Sequence, residues 1–168
     1  MLLEQRIKQN KPFPSENERA AVNILYSANW ILEHMRNFLA RFGITQQQYN
    51  ALRILRGKFP ESLSTGEIRE RMVDRAPDAS RIVDRMIAKG LVQKAACATD
   101  KRRIDVTITQ AGLDLLETIE QSPDRPSNLV RGLTAEESAQ LNALLEKMKK
   151  IDNDSDGEVD SENQNPAE

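Results

Sequence analysis

The sequence is poor in the residues on which most metal, redox and hydrolytic chemistry depends. Its 168 residues contain one cysteine, Cys97, and one histidine, His34. A lone cysteine excludes an intrachain disulfide framework and any multi-cysteine metal site, and it fits a reducing compartment. A lone histidine excludes a histidine-cluster metal centre. No apolar run approaches the length of a membrane span. The N-terminal MLLEQRIKQNKPFP lacks the apolar core and small-residue cleavage site of a signal peptide. A cytoplasmic protein is expected, with no membrane partner. There is no nucleophile elbow, no phosphate-binding glycine loop and no metal-ligand spacing, so neither enzymatic activity nor a cofactor nor a metal is expected.

What is present suffices for one compact domain with an appended oligomerisation element, given 39% hydrophobic residues. The formal charge of -2 conceals a polar arrangement. From Asp152 onward the chain carries seven acidic residues and no lysine or arginine, so residues 1–151 hold 24 cations against 19 acids. A positive body is compatible with a polyanionic partner.

Read in order, residues 1–14 are polar, contain Pro12 and Pro14, and are expected to form a flexible N-terminal arm. Ser15 and Glu18 have the spacing of a capping box, in which each side chain satisfies an orphan N–H at a helix start. Beyond them Leu25, Ala28, Ile31, Leu32, Met35, Phe38, Leu39 and Phe42 recur at three and four residues. That stripe predicts an amphipathic helix of about seven turns ending at Gly43. Thr45 with Gln48, and Ser64 with Glu67, repeat the capping box before two short helices. A third short helix, PDASRIVDRMIAK, is expected to open with Pro77 at its first position and close at Gly90. A turn of about four residues before it would make a helix-turn-helix. LVQKAAC and IDVTIT read as strands, with Ile104, Val106 and Ile108 alternating against Asp105 and Thr107. The cationic turn Lys101, Arg102, Arg103 lies between them. QAGLDLLETIEQ resumes a helix, and a last capping box, Thr134 with Glu137, opens AEESAQLNALLEKMKKI. Residues 152–168 are expected to be a disordered acidic tail.

The cationic turn admits three readings: solvated surface, a phosphate clamp, or the tip of a wing that enters a DNA groove. On the third short helix Ala79, Ile82, Val83 and Met86 form the expected inward face. Asp78, Ser80, Arg81, Asp84 and Arg85 point outward. Arginine at Arg81 or Arg85 could pair with guanine O6 and N7, and Ser80 could bond a phosphate or a base. Taken in isolation, the helix favours the other reading, a solvated face laced by local ion pairs. A basic turn directly after such a helix is what a groove-inserting wing requires, and it tilts the choice.

ITQQQYNALRIL, RIVDRMIAKGLV and TDKRRIDVTITQAG resemble the MarR family of winged helix-turn-helix transcription regulators, over about residues 16–151. The family wing carries Asp-x-Arg, matched by Asp100 and Arg102, and a strand ending in Thr and Gly, matched by Thr109 and Gly112. The resemblance implies a mainly α fold with a small β-hairpin, a winged helix-turn-helix domain plus a helical dimerisation region. It implies Arg102 in the minor groove, oriented by Asp100, where narrow A·T-rich grooves concentrate negative potential. It departs from the family at Pro77 and Asp78, where a Ser/Thr-rich helix start is common.

The expected organisation is an arm over 1–14, a dimerisation helix over 15–43, a DNA-binding domain over 44–112, dimerisation helices over 113–151 and the tail over 152–168. The expected DNA-binding residues are Asp78, Ser80, Arg81, Arg85, Asp100, Lys101, Arg102 and Arg103. The partners are a second copy of the chain, double-stranded DNA with a near-palindromic operator, and a possible small-molecule effector. The function expected is a ligand-responsive repressor. The rival from another class is a winged-helix protein-interaction module whose basic hairpin meets an acidic partner protein.

Three smaller features bear on chemistry. Asp152, Asp154, Asp156 and Gly157 match the first positions of a calcium loop, but the twelfth is Asn163 rather than a bidentate Glu. Cys97, at the end of a strand, reads as a small packing residue rather than an oxidant sensor. Tyr26, Trp30 and His34 lie on the first long helix, where the resemblance implies an effector pocket; their types read as packing or surface residues before pocket residues.

Overall fold

The computed structural model describes residues 2–74, 78–96 and 104–149. The chain divides into two compact units, Met1–Asn128 and Leu129–Glu168. The order of the first is helix α1 (Leu3–Arg6), α2 (Glu16–Ala40), α3 (Gln46–Arg56), strand β1 (Leu63–Ser64), α4 (Thr65–Arg71), α5 (Ala79–Ala88), β2 (Val92–Ala96), β3 (Ile104–Ile108) and α6 (Gln110–Gln121). A 3-10 turn follows at Pro126–Val130, and the second unit contains α7 (Ala135–Lys149). No described helix is long and apolar enough to cross a membrane.

The helix starts follow local chemistry. At α3 the Thr45 hydroxyl accepts from the Gln48 N–H at 3.2 Å while Gln48 Oε1 accepts from the Thr45 N–H at 3.0 Å. Ser64 with Glu67 and Thr134 with Glu137 form the same reciprocal pairs. Each satisfies two donors that a helix start leaves unpaired. The 25-residue α2 is capped by Ser15, whose hydroxyl accepts from Glu18 N–H at 3.2 Å. Left-handed glycines follow two helix ends, Gly43 at φ +67° and Gly90 at φ +68°, a backbone that side chains disfavour.

Three sequence expectations change here. Within the segment expected as a flexible arm, Leu3–Arg6 form a helical turn, Leu3 is buried, and Glu4 Oε1 accepts from Arg19 Nε of α2 at 2.7 Å. Helix α5 begins at Ala79, not Pro77, because Asp78 takes the N-cap and accepts from the Ser80 and Arg81 N–H groups. Aspartate is among the best N-caps. The connection from α4 to α5 therefore spans seven residues, 72–78, rather than about four. Pro77 itself falls outside the described residues, as do Cys97 and the calcium-loop stretch.

The hairpin is larger than expected: it is a three-stranded antiparallel sheet in the order β1-β3-β2. Leu63 pairs with Val106 and Ser64 with Asp105, while Val92 faces Ile108 and Lys94 faces Val106. The added strand makes β3 central; Asp105, which alternates with the apolar residues of β3 in the sequence, pairs with Ser64 and is buried. One core joins the sheet to the helices: Leu39, Leu52, Leu55, Ile68, Met86, Val106, Leu116 and Ile119 are fully buried. Burying each side chain of this size contributes about 1.5–3 kcal/mol.

Helix α6 meets this core more closely than a side chain would allow. A Cβ at Gly112 would lie 2.3 Å from the Leu91 carbonyl oxygen. The preceding Thr109 holds the junction: its hydroxyl donates to the Gly90 carbonyl at 2.7 Å and accepts from the Gly112 N–H at 3.2 Å. Its N–H donates to the Leu91 carbonyl at 3.1 Å. The Thr-x-x-Gly match that the resemblance supplied thus has a steric cause. Near the other end of α6, Arg56 Nη2 reaches Glu120 Oε1 at 2.6 Å, tying α6 to α3. The Arg56 hydrogen bond holds the Glu120 carboxyl below the usual carboxylate range against a smaller opposing effect of burial.

Candidate functional site

The residues of α5 separate into two faces. Ala79, Val83 and Met86 are buried, and Ile82 packs half-buried against the same core. Asp78, Ser80, Arg81, Asp84 and Arg85 are exposed, as the apolar spacing requires. Burial of one face fixes the rotation of the helix, and that rotation turns the other face outward.

Each expected site residue on this helix has a definite place. Asp78 is the N-cap, and besides its two backbone bonds its Oδ2 lies 3.2 Å from Arg81 Nε. Both partners of that pair are well exposed, so it is a weak tether that an outside acceptor can displace. Ser80 is the second residue of the helix, with its hydroxyl at the exposed N-terminal turn. Arg81 and Arg85 stand one turn apart. With Asp78 and Ile82 they line one side of a groove of about 250 Å³. The other side is Thr45, Gln47 and Gln48, at the start of α3. An arginine fork, a hydroxyl and an amide side chain around one groove offer planar and single hydrogen-bond donors to an acceptor-rich surface.

Asp100, Lys101, Arg102 and Arg103 lie outside the described residues. What is described is their base: β2 and β3 form the antiparallel pair from Val92↔Ile108 to Ala96↔Ile104. The segment 97–103 therefore connects two paired strands, as the reading of a basic turn between strands required.

Thr45 and Gln47 were not singled out in the sequence. Thr45 carried only the capping-box signal and Gln47 none; a capping box marks a helix start and says nothing of a neighbour more than thirty residues away. The backbone of the turn before α5 is anchored to the same helix: Asn50 Oδ1 of α3 accepts from the Val73 N–H at 3.0 Å. This bond ties the α4–α5 connection to α3.

The three α2 residues weighed for an effector divide. The Trp30 and His34 rings pack at a tilt of 44° with centroids 4.4 Å apart, and His34 Nδ1 lies 2.8 Å from the Trp30 carbonyl oxygen. Tyr26 and Trp30 border a cleft with Arg19 of α2 and with Leu3 and Arg6 of α1. His34 does not border it. A different cleft, of about 760 Å³, opens between α2 and the start of α3, lined by Leu32, Glu33 and Arg36 on one side and Ile44, Gln46 and Gln47 on the other. No group of His, Cys, Asp or Glu able to hold a metal ion occurs among the described residues.

Comparison with known proteins places this arrangement. Residues 42–103 match the model of the MarR family. The chain is 28% identical over 116 residues to the multiple antibiotic resistance protein MarR of Salmonella typhimurium, covering 68% of this chain and 79% of that one. It is 23% identical over 149 residues to the homoprotocatechuate degradative operon repressor of Escherichia coli, covering 88% of this chain and 99% of that one. Among solved structures it resembles a mutant of MarR from E. coli complexed with operator DNA, at a TM-score of 0.67 and 24% identity, covering 82% of this chain and 99% of that one.

Proposed function

We propose, from the premise that this chain belongs to the MarR family of winged helix transcription regulators, that it is a sequence-specific double-stranded DNA-binding repressor acting as a homodimer in the cytoplasm. The observation that carries the reading is the outward face of α5. Its buried residues lock the helix into the core, and Ser80, Arg81 and Arg85 stand exposed on the opposite side. In a winged helix-turn-helix that helix enters the major groove and the wing reaches the backbone or the minor groove. Arg81 and Arg85 read bases or grip phosphates, Asp78 presets Arg81, and Asp100 with Lys101, Arg102 and Arg103 forms the wing contact. The name of the E. coli relative supports repression, and the operator-bound neighbour supports DNA as the partner. Together they favour this reading over a protein-interaction module.

The second copy is supported by α2 and α7, whose apolar residues stay exposed within one chain: Leu25 and Leu32 on the first, Leu141, Leu144 and Met148 on the second. Within the stretches 15–43 and 113–151 expected to dimerise, α6 is taken up by the chain's own core, so two copies would join through α2 and α7; that would place two reading helices about one helical turn of DNA apart, which demands a near-palindromic operator. A small-molecule effector would sit in the cleft between α2 and α3, where occupancy bears on both helices.

Selection of bound sites from random duplex DNA tests the core of the reading. A near-palindrome is expected. Arg81→Ala should then change which bases are preferred, and Arg102→Ala should weaken the selected site by about 1–3 kcal/mol with folding intact. Recovery of no preferred sequence by the wild-type chain would overturn the reading.

A further inference from the structure

The two ends of α5 are held differently. At its N-terminal end Asp78 bonds, among the described residues, to Ser80 and Arg81 of the same helix. At its C-terminal end the helix is fastened to two others. Lys89, the C-cap, extends its ammonium to the end of α2 and the start of α3, where Nζ donates to the Gly43 carbonyl and to Gln48 Oε1 at 3.3 Å. Gly90 and Leu91, next in the chain, receive the two hydrogen bonds of Thr109 that lock α6.

We propose that Lys89 is a positioning residue for DNA reading, its bridge to Gly43 and Gln48 setting the angle at which α5 presents Arg81 and Arg85. This rests on α5 being the reading helix. The acceptors suit a cation. Gly43 follows the C-terminal turn of α2, where carbonyls lack intrahelical partners and the helix dipole favours positive charge. Gln48 is 3% exposed, and its oxygen already accepts from Thr45 N–H. Lys89 fills the second acceptor position of that buried oxygen, which water reaches poorly. Without the ammonium, α5 loses its polar tie to the α2–α3 junction while its apolar face stays packed.

Leverage makes the contact matter for reading. Arg85 is four residues from Lys89 and Arg81 is eight, or about 6 and 12 Å along the axis at 1.5 Å per residue. A tilt of about 10° about the Lys89 end shifts Arg85 by about 1 Å and Arg81 by about 2 Å. A shift of that size breaks a bidentate arginine contact, whose donor–acceptor distances range over only about 0.5 Å. Phosphate contacts from flexible side chains follow such a tilt, so non-specific binding is insensitive to it.

The test compares wild type, Lys89→Met, which keeps the stem and removes the charge, and Lys89→Arg, which restores donors. The probes are the duplex selected by the wild-type protein and an unselected duplex of equal length. K89M should bind the selected duplex roughly tenfold more weakly, the scale of one charge-assisted hydrogen bond, and the unselected duplex within about twofold, with an unchanged salt slope. K89R should recover most of the loss. Parallel weakening on both duplexes with a salt slope smaller by about one would make Lys89 a phosphate contact and overturn the proposal; so would an unchanged preference. Lys89→Gln, with a neutral donor on a shorter stem, gives the same comparison at smaller perturbation should K89M fold poorly. Amide exchange without DNA supplies an independent arm. K89M should exchange faster over Arg81–Ala88 while the α3 and α6 cores stay protected, and uniform exchange across the chain would overturn the bridge. Absence of any selected sequence with selective α5 exchange in K89M would fail the DNA reading and leave the bridge standing.

Discussion

Helices α2 and α3 carry the same apolar spacing in the sequence and end in different surroundings. In the 11-residue α3, Gln48, Tyr49, Ala51, Leu52 and Leu55 are buried; in the 25-residue α2 only Phe38 and Leu39 are, both in its last turn. Leu25 of α2 remains 65% exposed. Helix α7, in the second unit, has no buried residue at all. Periodicity therefore identifies an apolar face but not what covers it. In α3 the cover is the chain's own sheet and helices, whereas most of α2 and all of α7 lack such cover among the described residues, which is the cover the proposed second copy would supply. Isolated apolar residues on a surface need no explanation, but repeated ones along one helix face do.

The largest expected effect tests that contrast directly. Leu52→Ala should destabilise the fold by about 2–5 kcal/mol in denaturant titration, the loss for a fully buried leucine. Leu25→Ala should leave unfolding of the single chain within about 0.5 kcal/mol, since an exposed side chain has little burial to lose. The paired change Leu25→Glu with Leu144→Glu should instead shift sedimentation toward a monomer. A Leu25→Ala chain as unstable as Leu52→Ala would show that α2 is covered within one chain, and the contrast would collapse.

Gly112→Ala sharpens the same contrast on a smaller scale. Its new methyl group meets the Leu91 carbonyl, a backbone atom, so the junction of α6 with the sheet must shift, at about 1–3 kcal/mol by thermal or denaturant unfolding. Adding far more volume on the open face of α2, by Ala28→Leu, should leave the unfolding of one chain nearly unchanged. Equal losses from the two substitutions would mean that the two regions are packed alike.

The smallest effect is electrostatic. Glu120→Gln should cost about 0.2–1 kcal/mol at neutral pH, discounted because both partners of the Arg56 pair are over a third exposed. The folded carboxyl titrates below its unfolded value, so its contribution is full above the unfolded pKa and is lost as pH falls through the folded one. The difference between wild type and Glu120→Gln should shrink toward acid pH. A difference that is constant with pH would assign the cost to packing instead.

Much of this was legible in the chain itself. The capping boxes at Thr45, Ser64 and Thr134 formed as spaced, because they are local and need no tertiary partner. The inward face of α5 also followed from spacing alone. What was hidden depends on distant residues. Nothing near Leu63 and Ser64 signals a strand, since those two residues pair only because β3 arrives beside them. Asp105 alternates with apolar residues in the sequence, and nothing local signals that it is buried. The start of α5 turned on a competition between Pro77 and Asp78 for the helix boundary, which the capping power of aspartate decided. At the candidate site, Arg81 and Arg85 could be named from helical geometry, whereas Thr45 and Gln47 joined them across the fold. The bridge from Lys89 to Gln48 had no sequence signal, because a lysine at a helix end is ordinarily just a favourable charge.

The two-residue strand β1 has a consequence for the order in which the molecule assembles. Pairing Leu63 with Val106 closes a chain loop of more than forty residues, whereas β2 and β3 pair across a short connection. Chain entropy opposes the first closure more than the second, and contacts distant in sequence slow folding. The short strand, with only two residues to gain, is expected to join after the β2–β3 pair and the helices between it and β1 have condensed. It acts as a late seal on the sheet, so a substitution such as Leu63→Ala should speed unfolding with little change in the folding rate.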